Sequence, residues 1–387
     1  MPDNSLAVLV GNGLSIAFNP ALGLGQITTE VVTRMSTSGV SADSEGAETA
    51  VSDAMKRIAD RYSSTGVADH DDFENIVGAF GGQSNMLRDL RNIADLVEPD
   101  NEDLTAAIKL ARVFARKVRD AGITHVLEVI FEQSRAHPES MDGLHDLSQS
   151  IIEEFEGTVT FGNLNYDTLL LSALLHTCQR ELADLGHGWR TSSVTTGSGD
   201  ELRHHQVNTL RRTLDFPDDR RVRLLHLHGS LTFWGDKKPD SYVKLDTTFI
   251  DAYRPWNSVR SGNTKLRPAV VLANQKDKSG IVQDYPFNLA YSGFSAGLAG
   301  SDSWLVIGYS FRDIAVNELF ELEMRERTLP PRMLVVTMGD FPKRKDVEIA
   351  VGWDAARGDS RDWLTFDRSG AFGFQSRSRW DDFKNRT

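Results

Sequence analysis

The chain has 387 residues, with 40% hydrophobic and 25% charged side chains, enough apolar material to bury the core of one or two α/β domains. A formal net charge of −12 argues against a broad phosphate-tracking surface, and hence against direct nucleic-acid binding. The single cysteine, Cys178, allows neither an internal disulfide nor a four-cysteine zinc site.

The amino-terminal apolar run has no basic leader and is too short to span a bilayer, so a cytoplasmic protein without membrane contact is expected. That run, Leu6 to Val10, is apolar on both faces and ends in Gly11-Asn12-Gly13, the pattern of a buried parallel strand feeding a tight turn. Four helix-spaced stripes follow. They are Val51, Ala54, Met55, Ile58 and Tyr62; Leu104, Ala107, Ile108, Ala111, Ala115 and Val118; Ile123, Val126, Leu127, Ile130 and Phe131; and Leu144, Leu147, Ile151 and Phe155. These predict a helical insertion over residues 37–150, set into a core of residues 1–36 and 151–353, with 354–387 as a C-terminal extension.

Strand-like runs recur at Thr158–Phe161, Arg223–Leu227, Ala269–Leu272, Trp304–Ile307 and Met333–Val336, with an edge strand at Trp363–Phe366. Their alternation with helical patterns predicts an α/β fold: a Rossmann-like doubly wound parallel sheet with a large helical insertion. Ser36–Gly46 and Thr191–Asp200 read as exposed loops. So does the basic run Arg211, Arg212, Arg220, Arg221 and Arg223, interrupted by Asp215, Asp218 and Asp219.

Four short segments carry chemistry. Gly11-Asn12-Gly13-Leu14-Ser15 is a glycine turn between a strand and a helix, where backbone can approach a pyrophosphate. Asn165-Tyr166-Asp167 follows a strand, at the sheet edge where open α/β sheets bind ligands, although one of its polar residues could equally cap the next helix. His226 and His228 alternate on one strand face, but no third metal ligand is visible. His226 reads as a core histidine, and His228, before Gly229, as an imidazole available for proton transfer. In Gly308-Tyr309-Ser310-Phe311-Arg312-Asp313, the residues Ser310 and Asp313 have capping-box spacing before an amphipathic helix.

In this order the four segments resemble the sirtuin-like family. The parallels are Gly11-Asn12-Gly13 with Ser15, Asn165-Tyr166-Asp167, His228-Gly229 and Gly308-Tyr309-Ser310, spanning the sheet core. The Asn-Tyr-Asp wording, and GYSF followed by Asp313 and Asn317, are more similar to the zinc-less branch of bacterial antiphage defence than to the deacylases. The four-cysteine zinc module and the Pro-Asp-Phe-Arg segment of deacylating sirtuins are missing, with Asn19-Pro20-Ala21-Leu22 near the place of the latter.

The resemblance implies an NAD hydrolase without zinc, with NAD as the substrate. It implies catalytic roles for Asn165, His228 and Asp167. Asn165 would act at the nicotinamide ribose and position water, Asp167 would orient the nicotinamide amide or hold Asn165, and His228 would be the base. It also implies cofactor binding by Gly11, Asn12, Gly13, Ser15, Gly308, Tyr309, Ser310 and Asp313. Such an enzyme must be gated, by homo-oligomeric assembly or by a separate partner such as a HerA-type ATPase or a short Argonaute. A protein deacylase, an ADP-ribosyltransferase and a non-catalytic NAD-sensing scaffold are the alternatives.

Overall fold

A computed structural model describes residues 4–37, 47–65, 90–94, 96–98, 101–135, 141–187, 190–196, 203–236, 242–272 and 275–385. Seven strands form one parallel sheet: β1 (Leu6–Val10), β2 (Val159–Asn163), β3 (Leu182–Asp184), β6 (Val222–His226), β10 (Ser303–Ile307), β11 (Arg332–Val336) and β12 (Leu364–Asp367). Their spatial order is β12-β11-β10-β1-β2-β6-β3, and every neighbouring pair is parallel. All five residues of β1, β2 and β10 are buried, as strands covered by helices on both faces require.

The two faces bury separate cores. Leu6, Val8 and Val10 point into one, with Phe161, Leu224, Leu305 and Leu334. Ala7 and Leu9 point into the other, with Leu225, Trp304, Val306 and Val335. The helices between β1 and β2 pack on the first face, contributing Val31, Met55, Val126, Leu127 and Ile151 to the same cluster as the sheet. From Asp354 onward the chain adds β12 at the sheet edge and sends Trp380 and Phe383 into that core.

Several sequence expectations need correction. Ala269–Leu272 does not join the parallel sheet: β9 (Arg267–Val270) belongs to a second, antiparallel sheet of order β4-β5-β8-β7-β9. That sheet also takes up Thr191–Thr196 as β4, expected to be a loop and instead paired with β5 (Arg203–Thr209); residues 197–200 lie outside the described residues. β7 (Gly229–Gly235) and β8 (Val243–Lys244) complete it. The loop expected at Ser36–Gly46 begins inside the helix Leu24–Thr37, and residues 38–46 lie outside the described residues. The second and third helical stripes are one 33-residue helix, Glu102–Ser134.

Arg211 is not a solvated loop residue. It is 1% exposed, donates to the carbonyls of Asp215 and His187, and sits over the Phe216 ring. Backbone carbonyls and an aromatic face hold a buried guanidinium that a charge count reads as surface.

Candidate active site

In this strand order the chain runs outward from β1 through β2 to the edge strand β3, steps back to β6, then crosses to the other side of β1 at β10. β1 and β10 therefore flank the point where the winding reverses, and ligands of open α/β sheets bind in the crevice at the carboxyl ends there. A cavity of about 420 Å³ occupies that crevice. It is lined by Gly11, Asn12 and Gly13 after β1, Asn165, Tyr166 and Asp167 after β2, His228 after β6, and Gly308, Tyr309, Ser310, Arg312 and Asp313 after β10. Of the residues expected to be catalytic or to bind cofactor, Ser15 alone lies behind the wall rather than on it.

The glycines first serve the two turns themselves. Gly11 N–H donates to Ile307 O at 2.9 Å and Gly13 N–H to Gly308 O at 3.0 Å, so the loops after β1 and β10 touch backbone to backbone. A Cβ on Gly13 would stand 2.6 Å from Gly308 Cα. One on Gly308, whose φ is +65°, would stand 2.4 Å from Leu14 N. No larger residue fits either position without moving a main chain. Phe311 in the same turn also has φ of +58°, held by Asn317 Nδ2 donating to its carbonyl at 3.0 Å. Asp313 is the cap of the helix Ile314–Glu326, accepting from Val316 N–H. Ser310 takes no part in a capping box and faces the cavity.

Asn165 is fixed by its surroundings. Its Nδ2 donates to Gly11 O at 3.0 Å and to Ser15 Oγ at 2.9 Å; a carbonyl can only accept, so the nitrogen's place is settled. Both amide hydrogens are spent, leaving Oδ1 as the acceptor this cavity-lining side chain can offer. Ser15 Oγ in turn donates to Asp167 Oδ2 at 2.6 Å, while Asp167 Oδ1 accepts from Leu169 N–H at the start of the helix Leu169–Cys178. Burial raises the Asp167 pKa against these two hydrogen bonds. Asp167 thus holds Asn165 through Ser15 and also ties down a helix end. We expect Ser15→Ala, which leaves an amide N–H and a carboxylate oxygen without their partner, to cost about 2 kcal/mol of stability in denaturant unfolding.

On the opposite wall, Lys278 Nζ lies 3.1 Å and His228 Nε2 3.2 Å from the same oxygen, Asp313 Oδ2. The His228 contact is within ion-pair range but off a hydrogen-bonding line, so Nε2 has no hydrogen-bond partner among the described residues. Burial alone would raise the Asp313 pKa; the facing imidazole and ammonium outweigh it and hold the carboxyl well below the usual carboxylate range. Asp313, expected to bind cofactor, lines the cavity and accepts from Lys278 Nζ beside the His228 ring.

Lys278, on the helix Gln275–Ile281, was missed by the sequence reading, as was the apolar wall of Ile16, Leu22, Leu24, Ile27 and Ile130. Asn163 was missed too. Its Oδ1 accepts from Asn165 N–H at 3.0 Å and its Nδ2 contacts His226 Nδ1 at 3.3 Å, joining the ends of β2 and β6. His226 itself is a core residue, its ring edge-on to Phe233.

A doubly wound parallel sheet with two glycine turns meeting at its switch point defines an α/β nucleotide-binding protein. The sequence matches the family model of the SIR2-like domain over residues 159–353, just over half of the chain, and the protein belongs to that family. Membership implies NAD binding. No curated protein matches the sequence. The matched region begins at β2, so β1 and its glycine turn enter the site through the fold.

The cavity suits a dinucleotide. Its volume lies in the range of small-molecule sites. Asn12 Nδ2 and His228 Nε2 are buried without hydrogen-bond partners among the described residues, as polar groups awaiting a ligand would be. Among the described residues no three His, Cys, Asp or Glu side chains converge on a metal position, and no helix is long and apolar enough to cross a membrane.

Proposed function

We propose that the chain is an NAD glycohydrolase, cleaving NAD with water to nicotinamide and ADP-ribose. The observation that carries this reading is the convergence of Asn165 and His228, 63 positions apart in sequence, on one cavity at the switch point. Cleavage breaks the bond between the ribose C1′ and the nicotinamide nitrogen, whose electron pair leaves with the ring, and positive charge grows on the ribose. Asn165 Oδ1 offers a fixed negative dipole to that charge and an acceptor for the attacking water. His228 takes the proton that water loses as its oxygen bonds to C1′. Asp313 faces the imidazolium so formed. Asp167, linked to Asn165 through the Ser15 hydroxyl, is a positioning residue for Asn165 in this scheme. The glycine turns and Asn12 hold the phosphates, and the apolar wall excludes bulk water.

The resemblance to the zinc-less bacterial branch supports a finer reading, an antiphage effector that depletes NAD and is gated by assembly or by a separate partner. The decisive assay incubates the full chain with NAD, with and without the product of its neighbouring gene, and separates nicotinamide and ADP-ribose by chromatography. Release of both without any peptide is the expected result, lost in Asn165→Ala. Cleavage that strictly requires an acylated peptide would replace hydrolysis by deacylation. NAD bound and never cleaved in the assembled state would make the chain a sensing scaffold.

A further inference from the structure

The helix Glu102–Ser134 has two unlike halves. From Val118 onward most of its residues are buried, and Val118, Val126, Leu127, Val129 and Ile130 belong to the core. Before that point it projects. Leu104, Ala107, Leu110, Ala111 and Phe114 are exposed, Leu110 to 71%. Four of these stand at 104, 107, 111 and 114, and the series runs on to 118: alternating steps of three and four, the seam of a two-stranded coiled coil. The face that packs within the chain is a different one, carrying the buried Ile108 and Ala115. Isolated exposed leucines need no explanation, but an exposed seam does.

Charges beside the seam identify what fits it. Asp103, Leu110 and Lys117 are seven residues apart and share one flank. Laid antiparallel against a copy of itself, the helix sets Leu104 on the partner's Phe114 and Ala107 on the partner's Ala111 along the seam, and brings Leu110 beside the partner's Leu110 on the flank. Asp103 then meets the partner's Lys117. A parallel pairing would instead set Asp103 beside the partner's Ile108 and Lys117 beside the partner's Gly122, leaving both charges unpaired. Such a contact is its own complement and closes after two copies.

We propose that the projecting half of this helix is the docking surface for a second copy of the chain, antiparallel across a twofold axis near Leu110. The inference is independent of the NAD chemistry. Sedimentation of the full chain over a wide concentration range tests it. The wild type is expected to form dimers or assemblies of dimers, and Leu110→Glu to weaken the contact at least about tenfold with an unchanged thermal midpoint. Asp103→Lys and Lys117→Glu should each weaken it by about tenfold, and the two together should restore it, which misfolding could not do. A wild-type chain that stays monomeric throughout, as it would were another segment or another protein covering the seam, overturns the proposal. So does an oligomer indifferent to Leu110→Glu, or a double variant no stronger than the singles.

Discussion

His228→Ala is expected to lower NAD cleavage by about a hundred- to ten-thousand-fold, the usual worth of a single positioned base, while the fold survives. The site itself argues for that separation. The main chain at His228 is held independently of the ring, its carbonyl accepting from Val271 N–H at 2.9 Å. Removing the imidazole does not orphan Asp313, because Lys278 still faces the same oxygen at 3.1 Å and Val316 N–H the other. The thermal midpoint should therefore move by only a few degrees. A base and a positioning group differ in their pH–rate profiles. If His228 takes the proton, the wild-type acid limb disappears in His228→Gln; if it only orients ribose, the limb remains and KM rises. Activity of His228→Ala within tenfold of wild type would exclude proton transfer by this residue.

The parts of the site legible in sequence were those fixed by backbone chemistry. β1 and β10 read correctly because a run of five or four apolar residues closed by glycine can hardly be anything but a strand buried on both faces. The glycines were legible because two backbones cross there, an approach no side chain permits. The antiparallel sheet was not legible, for physical reasons. β4 is TSSVTT, whose polar residues give no alternation, and β8 is two residues long, below any periodic signal. β9 is a short apolar run, and such a run does not state which sheet it will join.

Lys278 gave no signal because its partner lies 35 positions away and one lysine in a polar stretch looks like surface. Asn163 was hidden at the end of a strand that seemed to stop at Phe161. Ile130 was visible as part of a helical stripe, but only the fold reveals that it reaches the cavity.

Acidification from pH 7 toward pH 4 should destabilise the protein steeply, through histidines buried as neutral rings. Burial lowers the His226 pKa to about 4, with Asp184 opposing and Lys244 adding to the shift. Burial likewise lowers that of His125 to about 3, with Arg260 and Arg34 reinforcing it. Unfolded, both would titrate near 6.5. Between the folded and unfolded values the unfolded chain binds more protons, so stability rises with pH across that window and is flat above it. For His226 the window runs from about 4 to 6.5, worth at most about 3 kcal/mol, a large share of the total stability of a typical domain. His125 adds a similar loss by pH 4 and continues downward to about pH 3.

The carboxylates do not set this window. Asp184 and Asp313 are depressed, so their contributions vanish only below the ordinary aspartate range. Asp167 is raised, and its protonation on acidification offsets part of the loss. Chemical denaturation at pH 7 and pH 5 reads the difference. His226→Gln can still accept from Asn163 Nδ2 but cannot be protonated, and it should flatten the acid limb by the His226 share while leaving that of His125. An unchanged slope in that variant would mean that His226 carries its proton equally well in the folded protein, and that the polar link from β6 to Asn165 is not the dry junction its burial describes.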